Sequence, residues 1–214
     1  MDDLAPIVFV VDDDVSVRES LKLMVGCAGL RAELFESAQD FLSHPATGVP
    51  CCLVLDIEMP GLNGLDLQER IAADRSEVPV IFLTGHGDIP KTVRAMKAGA
   101  AEFFTKPFAG QDLLRAIQRA IERSRMACAE AAEVNQLRSR HASLTPREKE
   151  VMAMIVCGLL NKQVGATLDI TEYTVKVHRG RVMEKMNAKS FADLVKMAER
   201  LHLTAPQRAE AHSR

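Results

Sequence analysis

Four apolar runs in the first half of this 214-residue chain each end on polar residues: Asp12-Asp13-Asp14 after IVFVV, Asp56 after CCLVL, Thr84 after VPVIFL and Lys106 after AEFFT. A carboxylate in such a place can accept a phosphoryl group as an aspartyl phosphate, which makes Asp56 the candidate nucleophile. Phosphoryl transfer depends on positioning and charge neutralisation more than on acid–base chemistry. Asp12 and Asp13 offer carboxylates to a cation, and Mg2+ suits the task because it takes few carboxylates, keeps waters and binds phosphate oxygens. Lys106 supplies a point charge to the phosphate and Thr84 a hydroxyl donor. Taken singly, each residue has a plainer reading. Acids after a strand often cap the next helix, as Asp14 or Ser16 is expected to do here, and a Thr or Lys at a strand end is often just solvated. Weight comes from four positions falling at four run ends in order.

The runs lie 20 to 50 residues apart with amphipathic segments between them, which predicts parallel strands of one sheet with ligands beyond their carboxyl ends. Strands are expected at 7–11, 31–35, 52–56, 79–83 and 102–105, and helices at 15–27, 37–43, 64–73, 90–98 and from about Gln111. Five repeats of strand then helix give a single α/β, doubly wound, five-stranded parallel domain. Pro60-Gly61, Gly85, Gly87 and Pro107 punctuate the strand ends where loops must turn.

From Asp112 the last of these helices is expected to run on, since neither Gly nor Pro follows until Pro146. Its Ala-rich, mixed-charge sequence favours a helical linker that could pass motion between domains, although an ordinary spacer would read the same. Thr145-Pro146-Arg147-Glu148 then forms a capping box, with Pro at the first helical position. Helices follow to about Gly158, from Asn161 to Leu168, from the cap Thr171 to about Met186, and from Ser190 to near Leu201. Four short helices, two of them joined by a three-residue turn, form an all-α helix-turn-helix domain. The tail from Pro206 is polar.

The composition, 47% hydrophobic and 26% charged, is that of globular domains. The net charge of −2 hides an asymmetry: residues 1–120 hold 11 Lys and Arg against 18 Asp and Glu, residues 141–204 hold 10 against 7. An acidic front suits a cation and a basic back a polyanion. No apolar stretch reaches 18 residues and the acidic start is unlike a signal peptide, so a cytoplasmic location is expected. Cys27, Cys51, Cys52, Cys128 and Cys157 lack zinc or redox spacing and are expected to be reduced core residues. His86 and His178 are single histidines that read as polar surface.

On the third helix of the back domain, a step of 100° per residue puts Val175, Val182 and Met186 on one inward stripe. Tyr173, Lys176, Val177, Gly180 and Glu184 face outward, flanked by Thr174, His178, Arg181 and Lys185. Laid in a major groove, the outward face would meet base edges and the flank phosphates. Lys162 adds a phosphate contact near a helix N-terminus, and the capping Thr171 is counted with the DNA-facing positions. A basic helix face that is only solvated would look alike.

The motifs VVDDD, LVLDIEMPGLNGLDL, IFLTGHGD and FFTKPF resemble the receiver domain of two-component response regulators, over residues 5 to about 125. LTPREKEVMAMIVCGLLNKQVGATLDITEYTVKVHRGRVMEKM is similar to the helix-turn-helix domain of LuxR-type regulators, and the pair matches the FixJ and NarL group. The resemblance implies a receiver domain at 5–120, a helical linker at 121–140 and a DNA-binding domain at 141–204. It implies phosphorylation of Asp56 by a sensor histidine kinase, with Mg2+ held by Asp13, Asp56 and the main-chain carbonyl of Glu58, and Asp12 helping through water. Phe103 falls at the switch aromatic, which moves inward as Thr84 closes on the phosphate; as a plain strand residue it would be core. Further implied are a homodimer on phosphorylation, double-stranded DNA with paired half-sites, RNA polymerase as a partner, and the carried-over positions Glu148, Asn161-Lys162 and Thr174 to His178.

Two positions depart from the pattern. Gly165 stands where Ala is usual, and Gly180 where a side chain is common; each should cost about 0.5–1 kcal/mol in a helix interior. Competing readings are a regulator gated by protein contacts without phosphorylation, and an aspartate-dependent phosphohydrolase using Asp12 and Asp14. The second leaves Asp56, Lys106 and the back domain idle, so a non-enzymatic regulator is expected. A Walker loop and a defensible Ser/His/Asp arrangement are absent from the sequence.

Overall fold

A computed structural model describes residues 5–75, 78–85 and 89–203, and the chain divides into two compact units, 1–129 and 130–214. His86, Gly87 and the tail from Pro206 lie outside the described residues.

The first unit alternates β1 (Ile7–Val11), α1 (Val15–Cys27), β2 (Arg31–Phe35), α2 (Ala38–Ser43), β3 (Cys51–Asp56), α3 (Gly64–Asp74), β4 (Val80–Thr84), α4 (Ile89–Lys97), β5 (Glu102–Thr105) and the start of α5 (Gly110–Ala142). All pairings are parallel, in the order β2-β1-β3-β4-β5. Residues of β1, β3 and β4 alternate between two cores. Phe9, Leu53, Leu55 and Phe82 pack with Phe41, Leu67 and Ile71, while Val8, Val10, Val54 and Ile81 pack with Leu21, Val25, Leu113 and Ile117. Both sheet faces are therefore covered, and that is why these strands read as unbroken apolar runs. The order reverses at β1, so the crevice between the ends of β1 and β3 is where a ligand is expected.

Asp14 caps α1 by accepting from the Ser16 amide at 2.8 Å, and Ser37, expected inside α2, is its cap. β3 begins one residue before the expected 52–56, and β4 lies one residue later at both ends than the expected 79–83. Cys51 and Cys52 are buried, but Cys27 and Cys157 are exposed, against the core expectation. Both sit where a helix ends, Cys27 as the last residue of α1 and Cys157 as the C-cap of the helix Pro146–Val156, beyond the packed stripe.

α5 continues into the second unit as one helix and is followed there by α6 (Pro146–Val156), α7 (Asn161–Leu168), α8 (Glu172–Met186) and α9 (Phe191–Arg200). Val151, Met152, Ile155, Val164, Val175, Val182, Met186 and Leu194 form its core. The turn between α7 and α8 is closed by Asp169 at φ 53° and by the Ile170 amide donating to the Gly165 carbonyl at 3.0 Å. Among the described residues, no helix is long and apolar enough to cross a membrane.

Candidate functional site

Acids end β1 and β3 because the apolar strand must stop where the chain leaves the sheet, and parallel pairing then puts Asp12 beside the end of β3. Asp12 is 1% exposed and Asp56 8% exposed. One carboxylate oxygen of Asp12 accepts from the Asp14 amide at 2.9 Å, and the other lies 2.8 Å from the Lys106 ammonium. The same ammonium donates to Asp56 Oδ2 at 3.2 Å, while Asp56 Oδ1 accepts from the Glu58 amide at 3.3 Å. Lys106 thus serves two buried carboxylates. Asp13 is exposed, yet one oxygen each from Asp12, Asp13 and Asp56 lie within 4.8 Å of one another.

Burial pushes the Asp56 carboxyl above its ordinary value; the Lys106 charge pulls it down and the Asp12 charge pushes it up again. Burial alone would lower Lys106, but its hydrogen bond and charge pairing with Asp12, and then with Asp56, outweigh that and hold it high. Three hard carboxylates facing one ammonium leave negative charge unmatched, and an oxygen-preferring divalent cation fits that donor set.

Thr84 is wholly buried at the end of β4, and its carbonyl accepts from the Lys106 amide at 2.7 Å, which ties β4 to the loop carrying the lysine. Phe103 is partly buried on β5, its ring centroid 6.5 Å from that of Phe82. The Glu58 carboxylate pairs with Lys91 of α4 at 2.8 Å. Two residues at this site carry no sequence signal. Arg18 of α1 donates to the Asp12 carbonyl at 2.6 Å and so braces the acidic loop. Gly64 opens α3 so close to β3 that a Cβ there would stand 2.3 Å from the Asp56 carbonyl oxygen.

In the second unit, Val175, Val182 and Met186 of α8 are fully buried, which leaves Tyr173, Lys176, Val177, Gly180, Arg181 and Glu184 exposed along one side. Lys162 and Thr171 are exposed too; Thr174 and His178 are half-buried. Thr171 accepts from the Thr174 amide at 3.2 Å, and its hydroxyl lies 2.9 Å from that of Thr174. His178 Nδ1 is buried with no hydrogen-bond partner among the described residues.

Lys185, expected on the phosphate-facing flank, is half-buried and places its ammonium 2.6 Å from the buried Glu148 carboxylate. A four-carbon stem on that flank can reach either solvent or a neighbouring helix, and here its ammonium meets a buried carboxylate.

The cost expected for Gly165 is corrected. A Cβ there would lie 2.7 Å from the Ile170 carbonyl oxygen, so the glycine is required by the tight turn rather than a loss against Ala. Nothing stands within 4 Å of a Cβ at Gly180. Gly165→Ala is therefore expected to destabilise the domain by about 1–3 kcal/mol. Gly180→Ala should stabilise it by about 0.5–1 kcal/mol. Urea unfolding of the two variants checks the opposite signs.

Residues 8–118 match the family model of the response regulator receiver domain, and residues 142–198 that of the bacterial regulatory proteins of the luxR family. Nodulation protein W of Bradyrhizobium diazoefficiens is 49% identical over 199 residues, 93% of this chain and 88% of that protein. The chain belongs to the FixJ/NarL group of DNA-binding two-component response regulators. The transcriptional regulatory protein FixJ of the same organism is 40% identical to this response regulator over 193 residues, 90% of this chain and 94% of its own. Among solved structures, that of the response regulator StyR matches with a TM-score of 0.79 at 46% identity, covering 92% of this chain and 99% of that one. Full-length FixJ from B. japonicum matches with a TM-score of 0.53 at 40% identity, covering 92% and 97%. The family is one of transcription regulators rather than enzymes.

Proposed function

We propose that this response regulator acts in the cytoplasm, where a sensor histidine kinase phosphorylates it on Asp56 and thereby switches its control of transcription. A carboxylate oxygen of Asp56 attacks the phosphorus of the kinase's phosphohistidine, the P–O bond forms as the P–N bond breaks, and the imidazole leaves with the electron pair. The observation that carries the reading is the single ammonium of Lys106 shared by Asp12 and Asp56, beside three acid oxygens within 4.8 Å of one another. Mg2+, when bound, would neutralise charge on the phosphoryl oxygens. Asp13, Asp56 and the main-chain carbonyl of Glu58 would hold it, with Asp12 helping through water.

Asp56 gains negative charge, Thr84 and Lys106 are drawn to the phosphoryl oxygens, and Phe103 follows inward. The receiver domain at 5–120 would then form a homodimer, and a helical linker at 121–140 would join it to the DNA-binding domain at 141–204. Two copies of that domain would meet paired half-sites about one helical turn apart. There Lys176 and Val177 would enter the major groove, with Lys162, Thr171, Thr174, His178 and Arg181 along its margin and RNA polymerase as a further partner.

Incubating the full-length protein with acetyl phosphate and Mg2+ tests the reading. Intact-mass measurement should find one phosphoryl adduct on the wild type and none on Asp56→Asn, with DNA affinity rising about 5- to 150-fold in the former alone. Correctly folded wild type that takes up no phosphoryl group would overturn it.

A further inference from the structure

The first turn of α6 grips both helices of the helix-turn-helix. Its Glu148 is 1% exposed, and one oxygen accepts both from the Thr145 amide at 2.9 Å and from Lys185 at 2.6 Å. Lys185 belongs to the last turn of α8, and the next residue's carbonyl, that of Met186, accepts from Arg140 of α5 at 3.4 Å. On the other side Arg147, adjacent to Glu148, donates to the carbonyl of Leu168, the last residue of α7. Two neighbouring side chains of one turn therefore hold the far ends of the two helices, one by a carboxylate and one by a guanidinium.

We propose that Lys185 is a positioning residue for DNA recognition: paired with Glu148 it sets the angle at which α8 presents Lys176, Val177 and Arg181, and it makes no phosphate contact itself. This rests on the DNA-binding reading. A lysine that left Glu148 to meet a phosphate would leave a carboxylate that is 1% exposed without its charged partner, and breaking a buried pair from one side is strongly unfavourable. The hydrogen bonds from Lys185 and Thr145 also hold the Glu148 carboxyl below its usual range, consistent with a charged, fully engaged pair. The lever is long. Val177 and Arg181 lie one to two turns from Lys185, so a small tilt at the gripped end displaces the groove-facing side chains.

The test uses the full-length protein treated with acetyl phosphate and Mg2+, and a duplex that the wild type selects from a randomised pool. Affinity is measured against NaCl concentration, well below each variant's melting temperature. Lys185→Met and Glu148→Gln should each lower affinity about tenfold. The double variant should be no weaker than either, Lys185→Arg should restore binding, and the slope of log affinity on log salt should not change. A slope reduced by about 0.9 in Lys185→Met alone would identify a phosphate contact and overturn the proposal. Lower melting temperatures with unchanged affinity would overturn it too, leaving only a structural pair. A wild type that selects no duplex would instead defeat the DNA-binding reading, and the proposal with it.

Discussion

Lys106→Met loses about 2–3 kcal/mol of receiver stability in the absence of divalent metal. Removing one partner of a buried pair typically costs 3–5 kcal/mol, because the remaining charge stays buried without compensation. The lower figure applies here because the lysine side chain is about a quarter exposed, so water screens part of the attraction. Two carboxylates are stranded at once, since Asp12 at 2.8 Å and Asp56 at 3.2 Å share that ammonium. Mg2+ should return more stability to this variant than to the wild type, as it replaces the missing positive charge and binds the folded state alone.

Asp56→Asn has the opposite sign. The folded state binds a proton on Asp56 more tightly than the unfolded chain does, because burial first and the Asp12 charge further on raise its pKa despite Lys106. The stability this contributes is fully present below the ordinary carboxylate value of about 4 and is lost as pH rises through the higher folded value. In chelator, the wild-type receiver transition should therefore weaken across that window, and Asp56→Asn should remove this dependence. Calorimetry between pH 4 and 7 decides it; a metal-free Asp56→Asn protein less stable than wild type at pH 7 would show the acids are not in conflict.

Gly64→Ala should be as damaging by another route. The added methyl would stand 2.3 Å from the Asp56 carbonyl oxygen and 3.0 Å from the Ile57 Cα, both backbone atoms that no rotamer change can move. The Gly64 amide already donates to the Ile57 carbonyl at 3.1 Å, so the start of α3 is tied to the segment it would have to leave. Overpacking of this kind costs about 1–3 kcal/mol or more, and the upper end is expected where only main chain can yield. The strand end that carries Asp56 would shift with it. Urea unfolding and a Mg2+ titration should both register the change, and wild-type values in both would disprove the close approach.

Much of this was legible in the residues. Apolar runs ending on Asp12, Asp56, Thr84 and Lys106 reveal strand ends, because a strand covered on both faces must be apolar until it leaves the sheet. The inward stripe Val175, Val182 and Met186 follows from helical periodicity, and the Thr145 capping box from four adjacent residues. In each case the signal and the structure it specifies lie within about a dozen residues of chain.

What tertiary structure alone decided is partnership across distance. That Lys106 joins acids 94 and 50 residues away, that Arg18 braces the Asp12 carbonyl, and that Lys185 turns to Glu148 across 37 residues depend on which of several reachable groups is nearest once the elements pack. Gly64 and Gly165 belong to the same class, since nothing local distinguishes a glycine that is merely permitted from one beside which another backbone passes. Periodicity states which way a side chain leaves its helix or strand; only the packed neighbours determine what it meets there.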